Sequence, residues 1–294
     1  MKRARGSRGF PVLVASDGSA PARQAVTAAV AFPWPPGSRG HGIVASHRLF
    51  GGRPTAAGVA ARAAALERIA GDTQKALRRR WRDARVVTVE RPPATAILAE
   101  ARRRGAGAIV AGSAGHGALG RLLVGSVTRA LARGASCPVL VVRGRARAFR
   151  HIVLGFDGSA NARRAADFVA RLTVPRGGRA IVIQAVPPEP VVDRGVGPAA
   201  ARAIARERAA VLDREALRAA RADTEETARV LAEAGWKVQV DVRLGAPLDT
   251  LLRAARKADL LVVGARGKTG LRGLLLGSVA DGALNRAPTS VLVV

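Results

Sequence analysis

Short apolar runs recur along this chain, separated by longer stretches in which alanine, leucine and arginine alternate with a helical period. In the second half the runs are Ile152–Gly155, Ala180–Ala185, Val238–Val242, Leu260–Val263 and Val291–Val294. The stretches near 160–172, 199–234, 247–257 and 278–286 read as helices between them. The first half repeats the order, with strands near 11–15, 42–46, 85–89, 108–111 and 139–142. Continuous β-branched runs joined by helices predict a parallel sheet with helices on both faces, because a strand buried on both sides has no polar alternation to show. The expected fold class is α/β, as two tandem domains of five parallel strands each, residues 1–146 and 147–294.

The repeat can be read residue by residue. Gly105–Val142 aligns without gaps on Lys257–Val294, with fifteen of thirty-eight positions identical. Each half opens with an Asp-Gly-Ser-Ala motif, at Asp17–Ala20 and Asp157–Ala160. The offset between these motifs is 140 residues, but between the later glycine-rich segments it is 152. About twelve extra residues are therefore expected in the middle of the second half, within the Ala/Arg/Glu stretch 199–234. A period of this size is a whole domain rather than a solenoid unit.

The glycine-rich segments carry the candidate chemistry. Residues 112–126 and 264–278 share the pattern Gly-x2-Gly-x9-Gly-Ser, with Gly112, Gly115, Gly125 and Ser126 in one copy and Gly264, Gly267, Gly277 and Ser278 in the other. Each follows an apolar run and leads into a helix. Glycines after a strand and a Gly-Ser at a helix start direct backbone N–H groups at phosphate oxygens. In parallel sheets ligands bind beyond the carboxyl ends of the strands, where strand order reverses. With the first and fourth strands as neighbours, Asp17 or Asp157 and the glycine segment of the same half face one crevice. The plain alternatives are helix capping by Ser126 and Ser278, and turn or cap chemistry for the two aspartates.

Other signatures fall away. Gly267-Lys268-Thr269 lacks the upstream glycine of a nucleoside-triphosphatase loop, since Val262 occupies that position. Gly115-x-Gly117-x-x-Gly120 matches a dinucleotide fingerprint by letter, but it follows the fourth strand and is not kept in the second copy. One cysteine and four scattered histidines make no standard zinc site, and no Gly-x-Ser-x-Gly elbow is present.

Charge changes the picture less than its size suggests. The chain carries +28, of which the first 150 residues contribute 27 basic against 6 acidic residues and the rest 22 against 15. Such a field attracts polyanions, nucleic acid included. The plain reading spreads solvated arginines over helix faces, some of them at helix C-termini. With no tyrosine and nine other aromatics, a base-stacking platform has little to stand on. A single cysteine, Cys137, no membrane-length apolar run and a basic, non-apolar start predict a cytoplasmic protein.

Asp-Gly-Ser after the first strand, the Gly-x2-Gly-x9-Gly-Ser segment and the closing Pro-Val-Leu-Val-Val together resemble the universal stress protein family in its tandem-domain, ATP-binding form. The resemblance implies an adenine nucleotide alpha hydrolase-like sheet of order 3-2-1-4-5. It implies that Gly112, Gly115, Gly125, Ser126 and Thr128 hold phosphates in the first half, and Gly264, Gly267, Gly277 and Ser278 in the second. Asp17 and Asp157 would lie beside ribose and phosphates, as the candidate ligands of a magnesium ion accompanying ATP, and the strand end at Ala185 would meet the adenine. The resemblance further implies a nucleotide-dependent stress-response regulator with slow or no hydrolysis, acting through an unidentified protein partner. Its closing strands would pair within the chain as a pseudo-dimer, with a homodimer of whole chains as a further expectation. The rival expectations are an adenylyl-transferring or pyrophosphatase-type enzyme, whose Ser-Gly-Gly-x-Asp-Ser loop is missing, and a basic nucleic-acid-binding protein.

Overall fold

The structure is a computed structural model, and it describes residues 9–46, 55–113, 124–144, 148–190, 199–267 and 276–294. The first half runs β1 (Pro11–Ala15), α1 (Ala20–Ala31), β2 (Arg39–Ala45), α2 (Ala56–Leu77), β3 (Arg85–Val89), α3 (Pro93–Arg104), β4 (Ala108–Gly112), α4 (Ser126–Gly134) and β5 (Val139–Val142). The second half follows the same plan: β6 (His151–Gly155), α5 (Ala160–Ala170), β7 (Arg179–Val186), α6 (Ala199–Glu233), β8 (Lys237–Leu244), α7 (Pro247–Ala255), β9 (Leu260–Val263), α8 (Ser278–Arg286) and β10 (Ser290–Val293).

All ten strands form one sheet, in the order β3-β2-β1-β4-β5-β10-β9-β6-β7-β8. Each half therefore has the expected order 3-2-1-4-5, parallel throughout. The central strands β5, β9 and β10 are buried along their whole length, as continuous apolar runs covered on both faces must be. The outer strand β8 instead alternates half-buried valines with Lys237, Gln239, Asp241 and Arg243, and charges on an outer strand discourage pairing with another chain.

The closing strands join the halves. β5 and β10 pair antiparallel, with Val139 opposite Val293 and Val141 opposite Val291. Strand direction thus reverses at this seam, and the carboxyl ends of one half share a rim with the amino ends of the other. On one face the junction is aromatic: Phe32 packs edge-on against Phe149 at 4.9 Å and Phe10 lies 6.0 Å from Phe168. Thr173 also donates its N–H to Pro33 O at 3.0 Å and its hydroxyl to Trp34 O at 2.9 Å. On the other face α4 meets α8, where Arg129 donates to Asn285 at 2.8 Å and Arg133 pairs with Asp281 at 3.4 Å.

The extra residues of the second half lie in α6, with 35 residues against 22 in α2. No helix among the described residues is long and apolar enough to cross a membrane.

Candidate functional site

The first strand of each half ends in the same turn. Asp17 Oδ1 accepts the Ser19 N–H, and Asp157 Oδ1 the Ser159 N–H, both at 2.9 Å. Gly18 and Gly158 sit at φ 76° and 74°, a left-handed conformation that glycine adopts without steric cost. The serines then cap the helices, accepting from Ala22 N at 3.3 Å and Ala162 N at 3.1 Å. The aspartates are turn formers, and the serines do the capping.

The glycine segments approach these turns closely. A Cβ on Gly112 would stand 2.7 Å from the carbonyl carbon of Pro21, and one on Gly264 would stand 2.9 Å from Ala162 N. Neither glycine has a positive φ, so close approach to the next helix, and not backbone freedom, explains the residue. Asn161 Nδ2 donates to Arg266 O at 3.0 Å and fixes the second segment against α5. A Cβ on Gly267 would lie 2.6 Å from Asp157 Oδ2, so this glycine faces the carboxylate directly. Further on, Gly125 donates its N–H to Ser113 O and Gly277 to Ala265 O, each at 2.8 Å.

These bonds position the helix starts. Gly125 and Gly277 occupy the caps of α4 and α8, with no side chain bonded there. Ser126 and Ser278 are the exposed first residues of those helices, so they do not serve as caps. An uncapped helix start presents free N–H groups and a partial positive charge to an anion. Thr128 is buried and donates its hydroxyl to Gly112 O at 2.7 Å, while Ala280 stands buried at the matching place. Gly115, with His116 and Lys268, lies outside the described residues.

In the second half these parts surround a cavity of 610 Å³ at the carboxyl ends of β6, β7 and β9. Its wall includes Asp157, Ala185, Gly264, Gly267, Gly277 and Ser278, every second-half residue singled out from the sequence. Apolar contacts come from Phe156, Ile183, Leu251 and Val263. A mostly apolar wall with a few convergent polar groups, at this size, is the usual form of a small-ligand site.

Two lining residues escaped the sequence reading. Arg266 stands between the two glycines of its segment, and its place there was the available signal. Gln184 is buried next to Ala185, its side chain bonded to the Thr224 hydroxyl at 2.8 Å. A lone glutamine in an apolar strand run was its only mark. Among the described residues no three His, Cys, Asp or Glu side chains gather as a metal site would require.

Comparison with known proteins places this architecture. The sequence model of the universal stress protein family matches residues 10–143 and again 148–294. A universal stress protein of Mycolicibacterium smegmatis is 32% identical over 206 residues, 63% of this chain and 60% of that protein. One from Thermus aquaticus is 35% identical over 150 residues, covering 50% of this chain and 98% of the relative. This chain therefore spans about 60% of the length of its mycobacterial relative. The crystal structure of a universal stress protein from Archaeoglobus fulgidus superposes with a TM-score of 0.68, at 16% identity, over 97% of this chain and 98% of the other.

Proposed function

The chain belongs to the universal stress protein family, and from that premise we propose that it binds ATP and acts as a nucleotide-dependent stress-response regulator. The observation that carries this reading is the 610 Å³ cavity walled by the glycine segment, the start of α8 and Asp157. Adenine fits the apolar side near Ala185 and Ile183, and the phosphates fit the side where Arg266, the Gly267 backbone and Ser278 converge. Where the backbone comes this near to a neighbouring carboxylate, a side chain at Gly267 would fill the space a phosphate needs.

A magnesium ion would enter with the nucleotide. Magnesium is commonly held by one or two carboxylates plus substrate phosphates, with water completing its octahedron. Asp157 fits that donor set in the second half, and Asp17 occupies the matching turn in the first. The ion would neutralise phosphate charge.

Hydrolysis is slow or absent in this reading. Asp157 is the one carboxylate among the described lining residues, no histidine stands with it, and one of its oxygens already accepts the Ser159 N–H. A water in line with the terminal phosphate therefore has no dedicated base to orient it. Occupancy itself is then the signal, read by a protein partner.

Calorimetric titration of the purified chain with ATP and magnesium tests this, together with identification of any nucleotide released on denaturation. Saturable binding with release of adenine nucleotide is the expected result. No heat and no bound nucleotide at millimolar ATP would overturn the reading.

A further inference from the structure

The positive charge of the first half is not spread evenly. In a parallel α/β domain the helices run back against the strands, so helix C-termini and strand starts gather at one end, here called the base. In the first half that base consists of segments 32–39, 78–85, 102–107 and 133–138. These segments hold ten arginines and one acid, Asp83, whereas the other described residues of 9–144 hold seven basic residues and five acids. Arginines scattered by composition alone would not divide in this way.

Part of the cluster serves the fold. Arg80 donates to the carbonyls of Val30 and Phe32 at the end of α1, at 2.9 and 2.6 Å. Arg103 and Arg104 share Glu100, and Arg133 reaches Asp281. Five others, Arg39, Arg79, Arg82, Arg85 and Arg102, are exposed and have no ion pair among the described residues. Holding so many like charges together without partners opposes folding, and a polyanion would relieve that repulsion.

We propose that the base of the first half is a docking surface for the phosphate backbone of duplex nucleic acid, read without regard to sequence. The chemistry of the surface selects this partner. Its aromatic residues Phe32, Trp34 and Trp81 are buried, so nothing offers stacking to the unpaired bases of a single strand. None of the exposed large apolar residues, which lie on α2, on α6 and at the end of β8, belongs to the base, so nothing inserts into a lipid headgroup layer. Guanidinium groups alone match regularly spaced phosphates. The second half repeats the bias with seven basic residues against Asp259 in its corresponding segments, on the opposite rim.

The test is anisotropy of a fluorescent 20-base-pair DNA duplex titrated with the full chain, between about 50 and 200 mM salt. One variant changes Arg39, Arg79, Arg82, Arg85 and Arg102 to Gln. A control with the same net charge changes Arg206, Arg208, Arg214, Arg218 and Arg229, all exposed on α6. Each lost phosphate contact lowers the slope of log K against log salt by about 0.9, so the base variant becomes shallower by about 4 and the control keeps the parental slope. Replacing the same five base arginines with Lys retains the slope, which separates lost charge from lost folding. Equal flattening in both Gln variants would show a response to net charge alone and overturn the assignment. Failure of the parent to bind DNA at 50 mM salt, or binding only to vesicles of anionic lipid, would overturn it too.

Discussion

Single residues divide here into those that build the crevice and those that face it. Gly264 belongs to the first kind, because a Cβ would press on the backbone of Asn161 and Ala162 at 2.9 Å. Gly264→Ala should cost about 1 to 3 kcal/mol, the usual range for forcing atoms into a packed contact, measured by urea denaturation. Ser278 belongs to the second, being exposed and not a cap. Ser278→Ala should leave stability within about 0.5 kcal/mol and weaken ATP binding, seen in the same calorimetric titration. Arg266→Ala should weaken ATP binding by about tenfold, the worth of one charge-assisted hydrogen bond, again without a change in the urea midpoint. The sequence displayed the glycines but not their reasons. Pattern alone could not separate a glycine needed for close packing from one needed for positive φ, nor tell that Ser19 and Ser159 cap while Asp17 and Asp157 shape the turn.

Elements were easier to read, since β5, β9 and β10 are continuous apolar runs and the helices between strands keep their period. The ends were less legible: β2 begins at Arg39, and β8 runs from Lys237 to Leu244, longer than its apolar stretch. Pairing with a neighbour extends a strand through polar residues that carry no signal of their own. Helix α3 offers a test at this scale. Glu100 in its last turns is held at about 2, below its usual 4.5, chiefly by the hydrogen bond from Arg103 and further by Arg104, against burial, which acts the other way. A carboxylate with a depressed folded value stabilises the protein above its unfolded value and loses that contribution as pH falls through the folded one. The melting-temperature gap between the parent and Glu100→Gln should therefore be widest above pH 4.5 and should close towards pH 2.

At the scale of the whole molecule, the tandem plan and the strand order within each half were legible because the two copies of each motif fix one another's register. The aromatic junction was not, since Phe10, Phe32, Phe149 and Phe168 come from separate segments with no shared pattern. The two crevices are also unequal. The second has Arg266 and Lys268 where the first has Ala114 and His116, and the Thr128 hydroxyl found only in the first is already bonded to Gly112. The second site should bind ATP more tightly, so Gly267→Asp should remove more bound nucleotide than Gly115→Asp at subsaturating ATP. Equal losses in equilibrium dialysis would refute the difference. The reversal of strand direction between β5 and β10 sends the two crevices outward from opposite sides of the molecule. A rigid receptor fitted over one opening has its back to the other, and two receptors can grip the chain at once without colliding. The protein is shaped as a two-ended coupling, able to hold a pair of clients apart at a fixed spacing while each end keeps its own account of the nucleotide supply.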